Sequence, residues 1–408
     1  MKILAEDKAF VDGTMRCVRC SICVAHCPSY AVFRNEGDSP RGRVQLMRAA
    51  YLGQVEPDAV FEKHMDNCLG CRACEDVCPS AVPFGYLIDR TRTQLLASGR
   101  GKVSKLFLRA GLRLLAHRGA LIFVAWVLRA IQALRLDRIA RWLVWPFSRA
   151  AAMRIDAIPR VAGSPLDLRE LPEHADPTTF FLAGCVMAGA LGDVQRATVR
   201  VLERSGHRVA VPPAQVCCGA LHLHAGLRDE ARALARANLD AFPGDAPICV
   251  NSAGCSLAMK GYAQLLPDDP RAAAFSARIR DLSELVGGDV RARPLRVAVQ
   301  EACHHYNVQR LRGRAAGLLT KLGATVVPLP RGAGCCGSAG LWSATHPEQA
   351  WALLQPLLDA VEGSGCDIVV SSNPGCLLFL REGLRQRNSS IRALHLAELL
   401  DPDQQASR

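Results

Sequence analysis

No signal-like segment opens the chain. Met1-Lys2-Ile3-Leu4-Ala5-Glu6-Asp7-Lys8 has neither an apolar core nor a small-residue cleavage site. The expectation is a cytosolic setting, where many reduced thiols point to metal binding rather than disulfides. A membrane crossing is not expected either: the longest charge-free run between residues 100 and 154, Gly119–Leu128, has ten residues, against roughly twenty needed to span a bilayer. P-loop and serine-hydrolase elbow motifs are missing. A single G-x-G-x-x-G match, Gly332–Gly337, follows an expected strand. The equivalent Ala214–Gly219 lacks the first two glycines, so nucleotide binding is rejected.

What the chain has is cysteine, eighteen in 408 residues. Eight of them form two copies of one run, C-x-x-C-x-x-C-x-x-x-C-P, at Cys17–Pro28 and Cys68–Pro79. In bacterial ferredoxins such a run holds [4Fe–4S] clusters, three close thiolates wrapping one cubane while the fourth reaches the other. The spacing therefore predicts one cluster on Cys17, Cys20, Cys23 and Cys78, and a second on Cys68, Cys71, Cys74 and Cys27. Structural zinc takes separated pairs of cysteines, a poorer match. Between the runs, Gly37–Arg43 is turn-rich and leads into a helix. Arg41 and Arg43 there read equally as clamps for an anion, as an offset to cluster charge, or as solvated loop arginines.

Residues 100–154 carry twelve Lys or Arg against one acid, Asp137, nearly the whole of the net charge of +12. Phe107, Phe123, Trp126, Trp142, Trp145 and Phe147 are interleaved with leucines at mostly helical spacing. Two readings stay open for these amphipathic helices: contact with an anionic lipid interface, or packing on the protein or a partner subunit. Nucleic acid is not expected, because no binding motif accompanies the charge. Ala157–Pro177, with four prolines, reads as a linker.

Beyond it the chain repeats. Cysteines at 185, 217, 218 and 255 are matched by 303, 335, 336 and 376, with thirty-one residues between the first two of each set. Strand-like runs at Thr179–Cys185, Arg208–Val211, Ile248–Val250, Leu295–Cys303, Thr325–Leu329 and Asp367–Val370 alternate with helical stretches, one of them running unbroken through Leu322. The pattern predicts two α/β units with mainly parallel sheets. Each cysteine would lie just past a strand's carboxyl end, where such sheets build their sites, and the two crevices would face each other. Cys185, Cys217, Cys218, Cys255, Cys303, Cys335, Cys336 and Cys376 are read as a third iron–sulfur site, as redox thiols or as buried structural cysteines. Cys249 and Cys366 are expected in the core. His224 and His304 are candidate ligands or proton shuttles, or simply bonded to backbone.

Two ferredoxin runs followed by two Cys-Cys-Gly repeats resemble the family of glycolate oxidase (glycolate dehydrogenase) iron–sulfur subunits. The likeness is carried by Asp38–Arg43, by His64–Glu75, and by Gly334-Cys335-Cys336-Gly337-Ser338-Ala339-Gly340 leading to Thr345-His346-Pro347. It implies an α+β multidomain chain: an N-terminal α-helical ferredoxin-like [4Fe–4S] module (1–99), a basic amphipathic helical region (100–160), and two α/β cysteine-rich CCG domains (161–285 and 286–408) related by internal duplication. It also implies two [4Fe–4S] clusters, a possible further cluster in the CCG domains, and no catalytic residue for substrate oxidation. Flavin would sit on partner subunits that oxidise glycolate to glyoxylate, and electrons would move on to a membrane acceptor such as quinone. Such a chain is expected in the cytoplasm, peripheral to the cytoplasmic face of the inner membrane through 100–154. The alternatives are D-lactate or glycerol-3-phosphate dehydrogenase subunits, or a heterodisulfide-reductase-like subunit with catalysis at the CCG cysteines. In the last group the motif ends in C-x-x-C; Ser252 and Asn373 stand here in place of its penultimate cysteine.

Overall fold

The computed structural model describes residues 6–98, 102–148, 152, 155, 158, 160–161, 163–330, 334–401 and 403. Side chains at 102–105, 107 and 118 are outside that set, and with them Phe107; so are residues 331–333 of the glycine-rich stretch.

The N-terminal part is a helical cage around the two cysteine runs. Its main helices, Lys8–Met15, Pro40–Tyr51, Ala59–Asp66 and Phe84–Ala97, bury Phe10, Met47, Phe61, Met65, Leu87 and Ile88 in one core. Asp7, Ser39 and Asp58 cap the first three, each side chain accepting a first-turn amide. Gly42 lies where a Cβ would sit 1.9 Å from the Glu36 carbonyl, so only glycine lets this helix start against the preceding turn.

Arg43 is not a solvated loop arginine. It lies fully buried on that helix, its Nε donating to the His64 carbonyl at 2.7 Å, Nη1 to Ser29 Oγ at 3.0 Å and Nη2 to Asp38 Oδ1 at 3.3 Å. The same Oδ1 meets His64 Nδ1 at 3.0 Å and Asn67 Nδ2 at 2.9 Å. The guanidinium thus ties together the segments that carry Cys27 and Cys68. Arg41 faces outward, pairs with Glu36 at 2.7 Å and reaches the Cys17–Cys27 loop at Ser21 Oγ.

Helices Lys102–Ala116, Arg118–Ala133 and Leu136–Val144 follow. Leu112, Leu121 and Ala125 turn inward. Leu121 packs on Gly189, and Arg109 pairs with Glu230, so one face of this region rests on the first repeat. Among the described residues no single helix is long and apolar enough to cross a membrane. The pair Leu108–Ala116 and Gly119–Ala133, bent by 101°, has that length and composition only when taken together.

Each repeat contains a four-stranded parallel sheet. Strands β1 (Thr179–Phe181), β2 (Val209–Ala210), β3 (Ile248–Val250) and β4 (Ile279–Asp281) run in the order β2-β1-β3-β4. Strands β5 (Arg296–Val299), β6 (Thr325–Val327), β7 (Ile368–Val370) and β8 (Arg392–Leu394) repeat it as β6-β5-β7-β8. The fourth strand of each sheet escapes the sequence pattern, because β4 and β8 are three-residue edges that carry arginine. The stretch after Cys303 is also not one helix. A π-helical turn, His304–Val308, precedes a separate helix, Arg314–Lys321. Residues 157, 159 and 162 of the expected linker lie outside the described residues, but its later part is structured: Leu166 and Leu168 are buried in the repeat core, and Pro172 accepts from Val211 N at 3.1 Å. Proline supplied the linker signal, and apolar burial overrode it.

The repeats share a core that includes Phe181, Val209, Val297 and Val369. Their cysteine-bearing turns meet at the junction, where Ala253 N donates to Ser372 O at 3.1 Å and Gly254 N to Asn373 Oδ1 at 3.3 Å.

Candidate metal centres

Both ferredoxin-type runs curl by the same device. Arg19 (φ 59°) and Ser21 (φ 73°) in the first match Gly70 (φ 68°) and Arg72 (φ 58°) in the second. Left-handed residues at alternate positions turn successive thiols and amides inward, a concavity suited to an anion. Pro28 opens a short helix whose N-cap is Cys27, and Cys27 Sγ accepts from Tyr30 N at 3.5 Å. That arrangement turns the fourth thiol away from its own run.

Two cavities result. One of about 450 Å³ is lined by Cys17, Cys20, Cys23 and Cys78, and by Cys74, which lines the second as well. The other, about 300 Å³, is lined by Cys27, Cys68, Cys71 and Cys74. The structure therefore brings Cys78 to the first run and Cys27 to the second. Burial pushes the Cys23 thiol up, with Cys17 and Cys78 adding to the rise. Cys74 is pushed up by burial and then by Cys71 and Cys68. The thiols lining each cavity, able to ligate as thiolates, are a donor set that fits a metal cluster. All eighteen cysteines are free. Among the described residues no three ligand side chains converge as they would on a single ion.

The repeat cysteines gather at strand ends in each sheet. Cys185 Sγ donates to Cys217 Sγ at 3.4 Å, and Cys336 Sγ to Cys376 Sγ at 2.7 Å. Hydrogen bonds from Cys185 and Cys218 hold Cys217 well below the usual thiol range, whereas burial pushes Cys303 up to about 12. Gly337 (φ 74°) would place a Cβ 2.2 Å from Ala350 O, so the Cys-Cys-Gly turn closes only with glycine. Asn373 Nδ2 donates to Cys376 Sγ at 3.4 Å. Cys249 and Cys366 are core residues.

Both histidines singled out from sequence contact the N-terminal module. His304 Nε2 bonds the Gly70 carbonyl at 3.2 Å, and burial lowers its pKa to about 4. His224 lies 3.6 Å from Asp89. The histidine missed is His222, buried with Nδ1 unbonded and close enough to help lower Cys217. Its position four residues past Cys218, on the turn that the Cys-Cys-Gly motif opens, was the available signal.

The ferredoxin-like module is seated on the second repeat. Asn307 Nδ2 donates to Cys71 O at 2.9 Å, Arg312 pairs with Asp76, and His346 Nε2 meets Asn67 Oδ1 at 3.1 Å. Cys303 and Cys335 are near enough to raise the Cys71 thiol.

Residues 13–82 match the family model of the 4Fe-4S dicluster domain, and residues 179–260 and 297–381 match that of the cysteine-rich domain. The chain is 33% identical over 414 residues to the probable glycolate oxidase iron-sulfur subunit of Bacillus subtilis, covering 95% of this chain and 93% of that protein. The chain belongs to the glycolate oxidase iron–sulfur subunit family. With the Escherichia coli glycolate oxidase iron-sulfur subunit it shares 30% identity over 416 residues, 96% and 94% of the two chains. More distant is lactate utilization protein A of Exiguobacterium, 27% identical over 55% of this chain and 97% of that one. As in the sequence reading, this member of the glycolate oxidase iron–sulfur subunit family is an α+β multidomain chain of ferredoxin-type and CCG parts. The basic helices lie outside both family models.

Proposed function

We propose that this chain is the electron-transfer subunit of a flavin-dependent glycolate dehydrogenase complex. Cys17, Cys20, Cys23 and Cys78 would hold one [4Fe–4S] cluster, and Cys27, Cys68, Cys71 and Cys74 the other. The observation that carries the reading is the crossed grouping of Cys27 and Cys78 around two thiol-lined cavities. Such clusters, when bound, supply one-electron carriers. The chain's own residues position the thiols and shield the second run. Flavin and substrate belong to partner subunits in this reading, which is supported by relatives named as iron-sulfur subunits of glycolate oxidase.

The test is anaerobic purification with the accompanying subunits, iron and sulfide counting, and EPR after adding glycolate, D-lactate or glycerol 3-phosphate. About eight irons fits two clusters, and about twelve puts a further cluster in a CCG domain. Reduction by glycolate supports the glycolate complex. Reduction only by D-lactate or glycerol 3-phosphate assigns the chain to a sister complex.

Peripheral binding at the cytoplasmic membrane face, with quinone as acceptor, completes the reading. It is favoured by the exposed side of the basic helices, where Phe123, Trp126, Ile139, Trp142, Leu143 and Phe147 stand beside exposed Arg138 and Arg141. Interfacial helices combine aromatic and basic residues in this way.

A further inference from the structure

The two cysteine runs repeat one motif, yet only one of them is covered. Between Cys68 and Cys74 no residue is exposed. The carbonyls of Gly70 and Cys71 are taken by His304 and Asn307 from the second repeat, and Arg312 of the same segment pairs with Asp76. In the first run every residue from Val18 to Ile22 is exposed, including Cys20. Val18 and Ile22 are 68% and 48% exposed, and Met15 beside them 53%.

This apolar spot has a basic surround. Arg16 and Arg19 stand exposed within it, and no Asp or Glu occurs between Thr14 and Arg34. The nearest acids in sequence are Asp12, exposed on the preceding helix, and Glu36, which is engaged by Arg41. A neighbour complementary to the patch has an apolar centre and a carboxylate rim. The covered run shows how the motif takes a protein neighbour: side-chain donors on loop carbonyls, with an ion pair at the edge.

We propose that Met15–Cys23 is the docking surface for the electron-donating partner protein, a flavoprotein whose contact face is apolar and rimmed by carboxylates. The inference rests on the cluster reading above. The second run is occupied within the chain, so the first is the run open to another protein. Its exposed Cys20 brings the thiol-lined cavity to the contact.

The test compares amide hydrogen exchange in the complex as isolated from cells with that in the chain alone. Exchange at residues 18–22 is expected to slow about tenfold or more in the complex, with no change at residues 69–73, which are covered in both. A Val18→Glu/Ile22→Glu double variant is expected to keep the iron content and the dithionite-reduced EPR signals while weakening association about tenfold or more. Arg16→Glu/Arg19→Glu should weaken it too, and should remove its sensitivity to salt. Unprotected amides together with unchanged association of both variants overturn the docking surface and leave the cluster reading standing. A parent chain without reducible EPR signals overturns the cluster reading, and the docking inference with it.

Discussion

Replacing Arg43 by methionine is the sharpest test of what holds the ferredoxin-like module together. Methionine keeps most of the apolar stem and removes the guanidinium. Asp38, itself 3% exposed, then loses its cationic partner, the His64 carbonyl loses its 2.7 Å donor and Ser29 loses a third contact. Breaking a buried ion pair by removing one partner costs about 3–5 kcal/mol, mostly because the other charge stays behind. His64 and Asn67 remain on Asp38, which places the expected loss near the lower end, about 3 kcal/mol. That is roughly two decades in the folded fraction of the module, since 1.4 kcal/mol is a factor of ten. Urea unfolding followed through loss of cluster absorbance would read it, with iron retention as a second measure. An Arg43→Met/Asp38→Asn double variant removes the stranded charge and should recover a good part of the loss. If the double variant costs as much as the two single changes added together, charge stranding is refuted.

Gly337→Ala places a Cβ against Ala350 O in a left-handed turn, so the second repeat should lose at least about 1–2 kcal/mol of stability, with faster proteolysis of that repeat as the readout. Gly317→Ala, in a helix with open space around the new methyl, is the control and should be neutral or slightly stabilising. His395 is fully buried, with Nδ1 accepting from Ala397 N at 3.1 Å and Nε2 donating to Asn251 O at 2.9 Å, and burial depresses its pKa. Its neutral form is therefore bound into the fold. The associated stability is complete above the ordinary pKa near 6.5 and is lost as pH falls from there toward the depressed folded value, at up to about 1.4 kcal/mol per pH unit. Urea midpoints measured between pH 7 and pH 5 should fall less steeply in His395→Gln than in the parent; equal slopes would refute the assignment.

The frame of the molecule was legible where chemistry imposes spacing. A cubane needs three thiols within one short loop, and parallel sheets put site residues after strand ends. Both patterns survive in one sequence without a structure. Strand β3 lies where the sequence pattern placed it, at Ile248–Val250. What stayed hidden depended on contacts distant in sequence. β4 and β8 have too few residues to show alternation, and their strand character comes from pairing with β3 and β7. Arg43 could not be told from a solvated loop arginine because its partners, Ser29, Asp38 and the His64 carbonyl, are scattered over 36 positions. The segment after Pro165 looked like a linker because proline marks irregular backbone without saying whether its neighbours are buried.

Duplication supplies the remaining argument. Two copies of a sheet with the same strand order present their Cys-Cys-Gly turns to one junction, and in both the glycine amide lies about 3.5 Å from the first thiol of the pair, 3.5 Å in one and 3.4 Å in the other. The copies differ around that shared frame. The first places buried His222 beside Cys217, whereas the second has Gly340 at the matching position. The second sends the side chains of His304 and Asn307 onto the Cys68–Cys74 loop, whereas the first meets the N-terminal module through His224, whose ring lies near Asp89 and whose carbonyl accepts from Arg92. A duplicated frame with only one copy seated on a cysteine run gives the thiols of the second repeat a neighbour that the first repeat's thiols lack. The two sets should therefore differ in reactivity: alkylation of the CCG thiols in the assembled chain should be slower at Cys303 and Cys335, beside Cys71, than in the same chain carrying Asn307→Ala and Arg312→Ala. Equal rates in the two proteins would mean that the seating does not shield the second site.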